Sequence, residues 1–354
     1  MLRSPTMTKA TSGDTGRLLS WWVVLGALVL VGACAPAAPD TVTITGSAFG
    51  TTWTLSVVDL EHDADPDELR GLIDDVLARV DLAASNWRED SELAAAGQLA
   101  PDEVLEVSEE LVRILDAARD VHDASGGAFD PTVGPLVGAL GFGADASESP
   151  ADEATLAAAR ARLGFDAFAW ADGQLTRSRP EVTLDLSGVA KGSAVDFCAE
   201  ELLALGENRF LLEVGGEVRV AGTRETGTPW VLGIFEPIEL PAIHGSFEAT
   251  DLAIATSGDY RTFRTLDDGT RLSHTIDPRS GRASTSRVAS VTILAPECGH
   301  ADALATAVMV LGPVDGLDLV ERTGGVEAYL LVHGKDGFEV VRSSGFPAVT
   351  RTPR

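Results

Sequence analysis

Asp302 and Thr306 stand four residues apart in the apolar stretch "ADALATAVMV" (301–310). On a helix this spacing stacks a carboxylate and a hydroxyl on one face. Two readings fit. Asp302 can occupy a first helical turn, where the dipole favours negative charge, with Thr306 bonding back to a carbonyl. Alternatively, a carboxylate among Ala, Leu, Val and Met needs a positive partner. No Lys or Arg lies three or four residues from it on that helix. A hard cation held by oxygen ligands would serve, and Mg2+ accepts one or two carboxylates with substrate phosphates completing its shell.

Three further stretches carry chemistry-bearing residues. "DLSGVAKGS" (185–193) passes through two glycines and Lys191 into a helix start, which presents N–H groups, a dipole end and an ammonium to an anion. Lys191 precedes Gly192, so this is no Walker A loop, and Ser187 and Lys191 are too far apart for a Ser-x-x-Lys pair. "SHTIDPRSG" (273–281) sets His274 before the Asp277-Pro278 turn, as a structural residue or a general base. "TSGDYRTFR" (256–264) is a turn offering a carboxylate and an aromatic ring near a cleft.

The elements that must position these groups follow from periodicity. Two β-rich runs occupy 42–58, broken near Gly50, and Leu69, Leu72, Ile73, Val76, Leu77 and Val80 recur at helical spacing. A second helix runs through Leu111, Ile114, Leu115, Ala118 and Val121 and stops at "SGG". "GAFDPTVGPLVGALGFGAD" reads as a long apolar loop, followed by a helix at 154–163 and a hairpin turning at Asp172-Gly173. "EVTLDLS" reads as a strand feeding the helix of "GVAKGSAVDFCAEELLALG". Strands around Gly215-Gly216 and on to 294 precede the "ADALATAVMVLG" helix, a helix near 313–323 and a hairpin at "HGKDG". Strands outnumber helices and neighbours are mostly hairpin-linked, so an α+β fold is predicted, with a largely antiparallel sheet core and packed helices.

The 354 residues are 45% hydrophobic and carry a formal charge of −27. So acidic a chain, without a basic stripe, excludes nucleic-acid binding. Arg3, Lys9 and Arg17 precede the apolar run "LLSWWVVLGALVLVGAC", which reads as a signal peptide over 1–33. "LVGAC" resembles a bacterial lipobox, making Cys34 the lipidated first residue, with 34–41 as tether, 42–345 as the domain and 346–354 as a C-terminal tail. The alternative is a retained membrane helix; either way the body is expected outside the cytoplasm, lipid-anchored in the first case. An oxidising compartment permits a Cys198–Cys298 disulfide, although Cys198 sits in an apolar helical stretch and packs better as a small hydrophobe. No Cys/His spacing suggests zinc.

In order along the chain, "GSAFGTTW", "SNWREDSEL", "GAFDPTVGPLV" with "GFG", "DLSGVAKGSAVD", "LLEVGGEVRVAG", "TSGDYRTF", "SHTIDPRSGR" and "ADALATAVMVLG" resemble segments of the ApbE family, the FAD:protein FMN transferases. The resemblance covers nearly the whole mature chain and implies that family's T-fold-like architecture. It implies Mg2+ on Asp302, Thr306 and the backbone carbonyl of Gly188, with FAD as substrate. It places Phe49, Trp87, Leu140, Gly141, Phe142, Asp185, Lys191 and Ile276 at flavin-site positions and makes His274 the base. A Thr or Ser of an acceptor flavoprotein would then receive FMN, and AMP would leave. No "SGAT"-type acceptor segment occurs in the chain, so the acceptor is a separate protein. Where the family commonly has Met, this chain has Phe49; where it often has Asn and Trp before "GFG", this chain has Gly138 and Leu140. Competing expectations are an FAD pyrophosphatase or flavin-binding lipoprotein on the same scaffold, and a solute-binding lipoprotein, which would show parallel βαβ lobes instead.

Overall fold

The computed structural model describes residues 40–60, 65–142, 151–238, 242–259, 263–265, 271–273 and 275–352. The chain opens with β1 (Thr41–Ala48) and β2 (Thr51–Val58), joined at Phe49-Gly50. Both turn residues have positive φ (53° and 71°), as a two-residue hairpin turn requires. Helix α1 (Pro66–Ala84) starts with Asp65 accepting from the Asp67 N–H and with Pro66 in its first turn, and it buries Leu69, Ile73, Val76, Leu77 and Val80. Then come α2 (Glu92–Ala96), β3 (Val104–Glu106) and α3 (Glu109–Ala124), the last capped by Ser108 and ended before two positive-φ glycines, Gly126 and Gly127.

The stretch read as one long loop contains a helix, α4 (Gly134–Ala139), and α5 (Glu153–Arg160) follows. Its glycines and prolines concealed a single turn that buries Leu136. The hairpin β4 (Phe168–Ala171) to β5 (Gln174–Arg177) turns at Asp172-Gly173 as predicted. "EVTLDLS" is not a strand. Val182 and Leu186 are fully buried, which produced the alternating pattern, but the Asp185 N–H donates to Pro131 O and the Val182 carbonyl accepts from Arg177.

Helix α6 (Ala190–Ala204) leads to β6 (Phe210–Val214), β7 (Glu217–Ala221), β8 (Trp230–Phe235), β9 (Ile243–Ala249) and β10 (Leu252–Gly258). Short strands β11 (Phe263–Thr265), β12 (Arg271–Ser273), β13 (Ile276–Asp277) and β14 (Arg282–Ala283) precede β15 (Val288–Ala295). Helix α7 (Cys298–Arg322), β16 (Glu327–Gly334), β17 (Gly337–Arg342) and β18 (Thr350–Arg351) complete the chain. The two C-terminal helices predicted separately are halves of α7, broken at Gly312 (φ 83°) before Pro313.

The main sheet runs β1-β2-β6-β7-β10-β15-β16-β17 with antiparallel neighbours, so the α+β architecture is as predicted. Its one face carries α1, α3, α6 and α7 over the largest core. Against its other face, Val220, Leu331 and Tyr329 pack on Trp230 and Phe247 of the small sheet β18-β9-β8. Covered on both faces, β15 buries all eight residues. The segment read as a tail closes that second layer: Phe346 is buried against Phe247 and Tyr329, and Thr350 pairs with Ser246. Cys198 and Cys298 are buried free thiols.

Candidate active site

The N-terminal turns of α6 and α7 cross so closely that side chains are excluded between them. A Cβ at Gly192 would collide with the Cys298 carbonyl oxygen and lie 2.9 Å from Asp302 Cβ; one at Gly299 would lie 2.5 Å from Ser193 Oγ. The two helices cap each other. Asp196 of α6 accepts from the Cys298 and Gly299 N–H groups, both at 2.8 Å, at the start of α7. Asp302 of α7 accepts from the Gly192 N–H at 3.2 Å in the first turn of α6. Each carboxylate thus meets unpaired N–H groups and the positive end of the partner's dipole. Burial pushes the Asp196 carboxyl up to about 6, against those two hydrogen bonds.

Asp302 is 4% exposed, and Thr306 follows it one turn on, beside the loop that precedes α6. A Cβ on Gly188 would lie 3.3 Å from Thr306 Oγ1, so loop backbone and hydroxyl adjoin. Lys191 brings the positive charge that the α7 sequence lacks. Its Nζ lies 3.6 Å from Asp302 Oδ2 and 2.8 Å from Glu217 Oε1. Burial opposes the ammonium, but the charges of Asp302 and Glu217 outweigh it and raise the Lys191 pKa. Glu217, the first residue of β7, is buried; desolvation and then the Asp302 charge raise its pKa. Its Oε2 has no hydrogen-bond partner.

This floor opens into a cavity of about 430 Å³, which Asp185, Gly188, Lys191, Asp302, Thr306 and Ile276 line. Two neighbouring cavities meet it at the turn before α6. One, of about 630 Å³, runs past Phe49, Trp87 and Lys191; the other, of about 700 Å³, past Trp87, Phe142 and Asp185. Trp87 stands between them, 79% exposed. Asp185 Oδ1 pins the junction, accepting from Asn86 Nδ2 at 2.6 Å and the Ser187 N–H at 3.0 Å.

Phe49, Trp87, Phe142, Asp185, Gly188, Lys191, Ile276, Asp302 and Thr306 therefore converge on one cleft. Leu140 and Gly141 do not face it. Leu140 packs into a small cluster with Leu136 and Phe142, and Gly141 (φ 84°) ends α4 and turns Phe142 towards the cavities. His274 lies outside the described residues. Glu217, Asn86 and Asp196 were not anticipated as site residues. Glu217 had a signal: strand parity sets Glu217, Arg219 and Ala221 on the helix-facing side of β7, where a carboxylate is out of place.

A floor of carboxylate, hydroxyl and backbone oxygens with one ammonium thus lies beneath three adjoining cavities. The chain belongs to the ApbE family, whose profile matches residues 49–330. It is 37% identical over 330 residues to the FAD:protein FMN transferase of Vibrio cholerae, covering 92% of this chain and 98% of that one. Among solved structures it resembles the flavin transferase ApbE from Vibrio cholerae (TM-score 0.80, 36% identity, 87% of this chain and 98% of that one). It also resembles the apo flavinyl transferase ApbE from Pseudomonas stutzeri (TM-score 0.79, 31% identity, 86% and 95%).

Proposed function

We propose that this protein transfers FMN from FAD to a Thr or Ser hydroxyl of a separate, extracytoplasmic flavoprotein, releasing AMP. The observation that carries this reading is the convergence of Asp302, Thr306, Lys191 and the Gly188 loop in one cavity with two others adjoining it. A diphosphate over the floor would leave the two arms of FAD to the adjoining spaces.

The floor suits a hard divalent cation. Two buried carboxylates face one ammonium, and one Glu217 oxygen is unpartnered, so negative charge is in excess. Mg2+ accepts one or two carboxylates together with other oxygen ligands, and Asp302 with a hydroxyl and a backbone carbonyl beside it offers that kind of set. Asp302, Thr306 and the Gly188 carbonyl would hold Mg2+, which when bound neutralises charge on the phosphoryl oxygens. Lys191 contributes an ammonium towards the same phosphates. In the transfer, the acceptor hydroxyl oxygen bonds to the phosphorus of the FMN half while the bond from that phosphorus to the bridging oxygen breaks. AMP carries away the bridging oxygen, and His274 takes the hydroxyl proton. With the signal peptide removed, lipid on Cys34 would anchor the protein to the outer face of a membrane.

The test incubates the full-length protein in detergent with FAD, Mg2+ and an acceptor domain carrying a Thr/Ser flavinylation segment. Acceptor mass should rise by one FMN in wild type, and stay unchanged with EDTA or in Asp302→Ala. Free FMN and AMP without acceptor labelling would instead make the protein an FAD pyrophosphatase.

A further inference from the structure

Lys191 sits between two buried carboxylates, Glu217 and Asp302, and it is shared unequally. Its Nζ is within hydrogen-bond distance of Glu217 Oε1 (2.8 Å) and outside it for Asp302 Oδ2 (3.6 Å). The lysine stem is flexible and its ammonium a compact charge, so without Glu217 the nearest buried countercharge is Asp302. An ammonium seated on that carboxylate would take the place of a metal ion. Glu217 is well placed to prevent this. It opens β7 immediately after the Gly215-Gly216 turn, whose backbone is fixed by the Gly216 N–H donating to Glu213 Oε1 at 2.7 Å.

We infer that Glu217 is a positioning residue that holds the Lys191 ammonium off Asp302 and so keeps the Asp302 carboxylate open to a divalent cation. The inference rests on the metal reading proposed above. It differs from a simple charge effect in one respect. If Glu217 acted only through its negative charge, its removal would weaken cation binding equally whether or not Lys191 were present. If it acts by holding Lys191, its removal matters only while Lys191 is there.

The experiment titrates Mn2+ alone, without FAD, into full-length wild type, Glu217→Gln, Lys191→Met, the double variant and Asp302→Ala, and follows free Mn2+ by electron paramagnetic resonance. Glu217→Gln should weaken Mn2+ binding at least about tenfold, the scale seen for groups that orient metal ligands. In the Lys191→Met background the same substitution should change affinity by less than about threefold. Glu217→Asp keeps the charge but shortens the reach, and should behave like Glu217→Gln; it also serves if Glu217→Gln does not fold. Equal losses in both backgrounds, or wild-type affinity in Glu217→Asp, overturn the inference and leave the metal site standing. Wild-type Mn2+ affinity in Asp302→Ala overturns the metal reading, and the inference with it.

Discussion

The floor of the cleft and its rim are built to opposite rules. On the floor, α6 and α7 touch through Gly192 and Gly299, cap one another through Asp196 and Asp302, and leave no room for a methyl group. At the rim, Trp87 is 79% exposed, and the α4 end and the Phe49 turn border open cavities. The floor couples chemistry to stability, because the groups that would meet charge also hold two helices together. The rim is free of that burden.

Substitutions on either side test this contrast. The largest effect belongs to Asp302→Ala, which should cut FMN transfer by at least about 10²-fold, measured as initial rate of acceptor labelling. Gly192→Ala comes next. Its methyl meets the Cys298 carbonyl and Asp302, so unfolding in urea should show a loss of about 2 kcal/mol together with weaker Mn2+ binding. A neutral Gly192→Ala would refute close packing as the organising feature of the floor.

Asp196→Ala tests the reciprocal cap through pH. Asp196 titrates near 6 in the folded chain, above the ordinary 3.8, so the folded state binds its proton more readily than the unfolded state. Its contribution is complete below the ordinary value and is lost as pH rises through 6. The stability advantage of wild type over Asp196→Ala should therefore shrink by on the order of 2 kcal/mol between the two. An advantage that grows with pH would contradict this. The smallest effect is expected at the rim. Trp87→Ala should leave stability within about 0.5 kcal/mol while FAD binding weakens by about 1 kcal/mol, read as KM against Tm. A large fall in Tm would erase the distinction between floor and rim.

What could be read from the sequence divides along the same line. Asp302 and Thr306 were legible because helical spacing is local, and Lys191 because Gly and Lys at a helix start carry their own geometry. Glu217 was not singled out, because its role depends on β7 lying beneath α6, a contact between residues far apart in the chain. The countercharge sought on α7 came from α6 for the same reason. "EVTLDLS" misled because alternate burial reports a covered face and not a neighbouring strand. The "GFG" region misled differently: Leu140 and Gly141 shape the path of the chain, and only Phe142 reaches the cavities.

The main sheet has one further property. From β1 to β17 its spatial order repeats its order along the chain, with no strand inserted between two earlier ones. A polypeptide made from its N-terminus can therefore assemble this sheet by growth at a single edge, each new strand docking on the last. The costly joins are the long closures, above all Val58 to Phe210 between β2 and β6, where loop entropy must be met before pairing rewards it. Until β6 arrives, the β1–β2 hairpin has an open edge and no sheet to join, which makes it the stretch most in need of protection during synthesis.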